Sequence, residues 1–225
     1  MDLLHLARGP LLQVALFVFF TGIGWRLVAL WRRTRGHDLS KPKNEHVLGA
    51  ALRTLLVRSV PRKGLHPSST LVTVNPYVFH IGLAVIAFGY APHVAFIGRL
   101  TGLTWPALPD AVMYVAAGLT IPSLLLALLF RLTDPTLKLI SSFDDYAAWM
   151  ITFLPVITGM ALITVPSAAA TLAQNPVYPT PLAIHLLSVE LLLVWFPFSK
   201  LMHALLVIPG RMQLGAMLAR RGVKA

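Results

Sequence analysis

The chain has 225 residues, of which 56% are hydrophobic and 12% charged. Soluble domains carry about 25% charged residues, so a soluble protein of this length would lack the polar surface to cover itself, and an integral membrane protein is expected. The net charge of +11 does not point to nucleic acid, because the basic residues fall between apolar runs; the absence of cysteine excludes thiolate-held iron–sulfur clusters, Cys-rich zinc sites, disulfides and covalent c-type haem on this chain.

Five apolar segments follow one another, at about 10–31, 71–91, 111–130, 146–166 and 182–208. Each is near the ~20 residues a helix needs to cross a hydrocarbon core. The runs are continuous rather than alternating, which predicts helices and not a barrel. The first has no typical small-residue cleavage site behind it and reads as a retained span. The expected architecture is all-α: one membrane domain over 1–225, a five-helix bundle.

The connection 32–70 holds nine of the nineteen Lys and Arg residues. The second connection holds Arg99, the third Arg131 and Lys138, and the fourth none; the tail 209–225 holds Arg211, Arg220, Arg221 and Lys224. Basic loops stay in the cytoplasm. This predicts a multi-pass protein of the cytoplasmic (inner) membrane with its N-terminus outside and its C-terminus inside. Within 32–70, "EHVLGAALRTLLVR" spaces apolar residues at helical intervals. That suits an amphipathic helix on the inner face, held by lipid headgroups or serving as a platform for a cytoplasmic partner.

Location separates the eight histidines. His5, His37, His46 and His66 lie in terminal or loop positions and read as solvent or headgroup residues. His80, His185 and His203 lie inside apolar spans, and His93 lies just past the second. On one unbroken helix, the eighteen residues from His185 to His203 make five turns and about 27 Å. The last span would thus present an imidazole near each membrane face. The second span runs the other way. His80 is therefore expected opposite His203 at the inner side, and His93 or a neighbour opposite His185 at the outer side. Two imidazoles from two helices at one depth suit a six-coordinate b-type haem, held between the second and fifth spans. Gly82 and Gly89 would leave room for a flat ring. Arg99 outside and Lys200 inside would pair with haem propionates.

Residues 183–204, with His185 and "FPFSKLMH" ending in His203, together with "FHIG" containing His80, resemble the gamma subunit of respiratory nitrate reductase and its relatives in heterodisulfide-reductase-like complexes. The resemblance implies a dihaem cytochrome b that exchanges electrons between membrane quinol or quinone and a cytoplasmic iron–sulfur subunit with its catalytic subunit. It implies His80 and His203 as ligands of the inner iron and His185 as a ligand of the outer one. Where that family has histidine ten residues after the first, this chain has Tyr90. His93 fills the place if Pro92 bends the helix; otherwise the outer haem is absent or takes Tyr90 or another ligand.

A quinol site needs a proton acceptor. Asp110, at the start of the third span, and Glu190, inside the fifth, are the candidates; their alternatives are helix capping for Asp110 and a polar partner across the bundle for Glu190. Asp144 and Asp145 read as caps of the fourth span, and Pro122, Pro155 and Pro197 as bends. The competing functional classes are a cofactor-free membrane anchor and a proton-coupled transporter.

Overall fold

The structure, a computed structural model, describes residues 2–34, 41–44, 47–59, 70–162 and 179–223. The chain is helical: α1 Leu3–Arg8, α2 Pro10–Thr34, α3 Val47–Val57, α4 Thr70–Gly89, α5 Ala91–Thr101, α6 Asp110–Thr133, α7 Pro135–Ile140, α8 Phe143–Met160, α9 Pro179–Trp195 and α10 His203–Arg220. Two 3₁₀ turns, Phe196–Phe198 and Lys200–Met202, join α9 to α10. No strand occurs among the described residues. His37, His46 and His66 lie outside the described residues.

Among the described residues, five helical stretches are long and apolar enough to cross a membrane: Leu3–Arg32, Thr70–Gly89, Asp110–Thr133, Pro179–Phe198 and Lys200–Arg220. The protein is accordingly a multi-pass membrane protein. The number matches the sequence expectation, but the membership differs. The expected fourth span, 146–166, corresponds over its described part to α8, which opens with Asp144 and Asp145 and is not among these five; residues 163–166 lie outside the described residues. The expected fifth span and tail form two helices instead of one. Pro197 has no N–H and its ring crowds the preceding turn. The chain answers with 3₁₀ turns and an extended Ser199, at φ −112° and ψ 178°.

Side-chain contacts order the helices. Gly82 on α4 lies against Thr120 of α6, and Asn75 and Ser123 exchange three hydrogen bonds of 2.7–3.0 Å between the same helices. Trp149 of α8 donates to the Leu124 carbonyl of α6 at 2.8 Å. Gly159 of α8 lies under His185 of α9. Leu4 and Ala7 of α1 pack on Ala183 of α9, and further along, Gly22 of α2 meets Pro197. The residue order in these contacts makes α4, α6, α8 and α9 successively antiparallel, with α1–α2 parallel to α9. α8 runs between α6 and α9 like the rest of the bundle.

The expected amphipathic helix is α3, and it does not lie alone. Thr54 and the Ala50 carbonyl fit against Gly215 of α10. Arg211 donates to Ser59 Oγ at 2.7 Å, and the Lys43 N–H to the Arg220 carbonyl at 2.9 Å. The segment expected as a tail is thus helical to Arg220 and paired with α3. The outward face of α3 keeps Leu48, Leu52 and Leu56 exposed, one per turn.

Candidate functional site

The helix–break–helix sequences place the four histidines. On α4, Pro76 cannot donate to the preceding turn, and its own carbonyl accepts from His80 Nδ1 at 2.6 Å. Gly89 ends α4, Tyr90 adopts extended backbone, and Pro92 sits in the first turn of α5. This break turns His93 back, so that its Nδ1 donates to the Ile86 carbonyl at 2.9 Å. On the facing element, His185 lies on α9 with Nδ1 3.1 Å from Thr158 Oγ1. His203 opens α10 and its Nδ1 donates to the Lys200 carbonyl at 2.7 Å.

The structure brings these residues together in two pairs. The His80 and His203 rings have centroids 5.8 Å apart and planes at 88°. The His93 and His185 rings are 6.1 Å apart and nearly parallel, at 13°. The pairs bridge α4 and its continuation α5 to α9 and its continuation α10, at opposite ends of the bundle. They differ in burial: His80 and His203 are exposed, His93 is half-buried, and His185 is 9% exposed. Burial pushes the His93 imidazole below its usual range, against a smaller opposing effect of the Ile86 carbonyl.

Among the described residues, no group of three or more His, Cys, Asp or Glu side chains could hold a bare metal ion. Pairs suit a different donor set, because a porphyrin brings four nitrogens and leaves two axial places. An imidazole nitrogen binds a first-row metal at about 2 Å, and the ring centre lies about 1 Å behind it. Two imidazoles on opposite sides of one iron therefore stand about 6 Å apart. Both observed separations match that value. Each Nδ1 is also engaged, and a hydrogen bond at Nδ1 directs the other ring nitrogen toward a metal. The residues present fit a b-type haem at each end.

Other expected site residues have different work. Gly82 does not face a space for a flat ring: a Cβ there would collide with Thr120 Oγ1. A Cβ at Gly89 would meet Leu108 at 2.8 Å and Met113 at 3.1 Å. Both glycines serve close packing within the α4–α6 half of the bundle. Lys200 is engaged by α8: its ammonium lies 2.5 Å from Asp145 Oδ2, and its N–H donates to Asp144 Oδ2 at 2.8 Å. Asp145 closes a capping box with Ser142, as expected of a cap, and also pairs with Arg131 at 3.1 Å. Burial acts to raise the Asp145 carboxyl, but the Lys200 and Ser142 hydrogen bonds and the Arg131 charge outweigh it and bring it down to about 2. Arg99 is exposed in the last turn of α5.

Asp110 is the first residue of α6, and its charge reaches Tyr90. Tyr90 in turn stacks edge-on against His93 at 5.2 Å. Asp110 therefore belongs to the His93–His185 end. Glu190 is 6% exposed, and its Oε1 has no hydrogen-bond partner among the described residues.

No family model matches this sequence. A protein of Nitratidesulfovibrio vulgaris strain Hildenborough, described simply as "Protein", is 30% identical over 216 residues, covering 92% of this chain and 89% of that one. The chain belongs to the family of that protein. The shared length takes in most of the helical chain.

One residue of consequence was missed in the sequence reading. Arg26 lies within the first apolar run, where a charge is costly without a partner. Its Nε donates to the Pro197 carbonyl at 2.9 Å, one turn from the Gly22–Pro197 contact. Together Gly22 and Arg26 hold α2 against the break that precedes His203. A charged residue inside a span was the available signal.

Proposed function

We propose that this chain is the membrane cytochrome b subunit of a respiratory oxidoreductase, of the kind represented by the nitrate reductase gamma subunit. The observation that carries the reading is the pair of neighbouring imidazoles at each end of one bundle, with ring centroids 5.8 and 6.1 Å apart. His80 and His203 would hold one b-type haem, and His93 and His185 a second. When bound, each haem supplies a one-electron carrier within the low-dielectric interior. The basic connections support an N-terminus outside, so His80 and His203 lie toward the cytoplasm and His93 and His185 toward the outside.

Asp110 and Glu190 are the carboxylates available to take protons from a membrane quinol, and Asp110 lies with Tyr90 at the outer end. His203 opens α10 at the inner end, the end from which a cytoplasmic iron–sulfur subunit and its catalytic subunit would collect electrons. Quinone reduction uses the same residues in reverse. A second reading, a proton-coupled transporter, draws on Glu190 alone, with its buried and unpartnered Oε1.

Haem counting tests the proposal. Pyridine haemochrome analysis of the purified chain should give two haems per chain. His80→Ala and His203→Ala should each leave one, and the double variant also one. His93→Ala and His185→Ala should remove the other. A parent protein without haem overturns the reading; two haems retained in His93→Ala remove that residue from the ligand set.

A further inference from the structure

The Nδ1 partners of the four imidazoles are not alike. Those of His80, His93 and His203 are the carbonyls of Pro76, Ile86 and Lys200, at 2.6, 2.9 and 2.7 Å. A carbonyl only accepts, so each Nδ1 carries the hydrogen and the lone pair lies at Nε2. His185 has a hydroxyl, Thr158 Oγ1, which can donate or accept. The Pro155 carbonyl acts on the same ring.

The Thr158 hydroxyl has several neighbours. It lies 2.7 Å from the Leu154 carbonyl and 3.1 Å from Ser188 Oγ. Ser188 Oγ is 2.6 Å from the His185 carbonyl. One proton arrangement suits these shorter contacts and a metal at Nε2 together. Thr158 donates to Leu154, Ser188 donates to the His185 carbonyl, and a Thr158 lone pair receives the His185 Nδ1–H together with the Pro155 carbonyl. Gly159, the next residue of α8, lets the ring lie close: a Cβ there would stand 3.2 Å from His185 Cε1.

We infer that Thr158 is a positioning residue for His185, which orients the ring and sets the electron density of its Nε2 through the hydrogen bond at Nδ1. The inference rests on the haem reading above. A partner on the far nitrogen makes imidazole a stronger donor to its metal and lowers the reduction potential of the site. Thr158 thereby adjusts one end of the bundle independently of the other, where both ligands are held by backbone that no substitution removes.

The test is a redox titration that resolves the two haems in the parent, Thr158→Val and Thr158→Ser proteins. Thr158→Val keeps the shape and removes the acceptor; it should raise the midpoint of the His93–His185 haem and leave that of the His80–His203 haem unchanged. Thr158→Ser should restore the parent value. Unchanged midpoints in Thr158→Val overturn the inference, and so does an equal shift of both. If Thr158→Val does not assemble with two haems, Thr158→Ala removes the hydroxyl without adding bulk and is read by the same criteria. A parent protein with no haem sinks the underlying reading, an outcome distinct from two haems whose potentials ignore Thr158.

Discussion

His203 faces His80 at 5.8 Å across a helix that has been broken, not continued. Pro197 is fully buried, and two 3₁₀ turns and an extended Ser199 follow Trp195 before α10 begins at His203. The ring direction is set locally: the Lys200 carbonyl accepts from Nδ1, and the Lys200 N–H is itself held by Asp144. Pro197→Ala restores an N–H and removes the ring clash, so the segment is free to return to α-helix. We expect this variant to remain in the membrane and lose the His80–His203 haem while keeping the other, as counted by pyridine haemochrome.

Arg26 holds the same break from α2 through its bond to the Pro197 carbonyl. A hydrogen bond to a charged group contributes roughly 1.5–3 kcal/mol. Arg26→Ala should lower thermal stability in detergent by an amount in that range. An unchanged melting temperature would show that Gly22 and the neighbouring rings suffice.

The Gly82–Thr120 contact predicts an asymmetry between two glycines. Gly82→Ala forces Thr120 aside at the α4–α6 seam, and overpacking of this kind costs about 1–3 kcal/mol. Gly118→Ala on α6 meets nothing within 4 Å and should be neutral or stabilising, since alanine is favoured over glycine in a helix. Thermal unfolding of the two variants side by side checks the difference.

Asp145 joins α6, α8 and the segment before His203 by pairing with Arg131 and Lys200. Its folded value of about 2 lies below its ordinary 3.8. The charged form is favoured in the folded state, so this contribution is fully present above about pH 4 and is lost as pH falls through about 2. The Lys200 side chain is 54% exposed, and the expected worth of the pairing is correspondingly roughly 1 kcal/mol or less. Asp145→Asn should flatten the stability profile between pH 4 and 2 and lower stability at pH 7 by the same roughly 1 kcal/mol or less, measured by unfolding as a function of pH.

Much of this arrangement could be read in the residues. Continuous apolar runs located α2, α4, α6 and the first half of the last span, because length and hydropathy are properties of a single segment. The histidine partners followed from depth and direction along antiparallel helices. What escaped depended on neighbours. Gly82 looked like space beside a cofactor, yet which side chain fills that space is decided on α6. Lys200 gave no sign of its pairing with Asp145, which is 55 residues away in sequence. The residues after Pro197 were read as an unbroken span and a tail, since the pairing of α10 with α3 depends on a fit between Thr54 and Gly215 that no local pattern announces. Arg26 was passed over inside a run judged by its average.

The most direct measurement is the anaerobic absorbance spectrum of the purified, folded chain before and after addition of a quinol, and then of dithionite. Facing imidazole pairs that hold iron porphyrin predict sharp b-type difference bands, developed partly by the quinol and fully by dithionite. A flat difference spectrum, from protein shown by circular dichroism to be helical, would contradict the account.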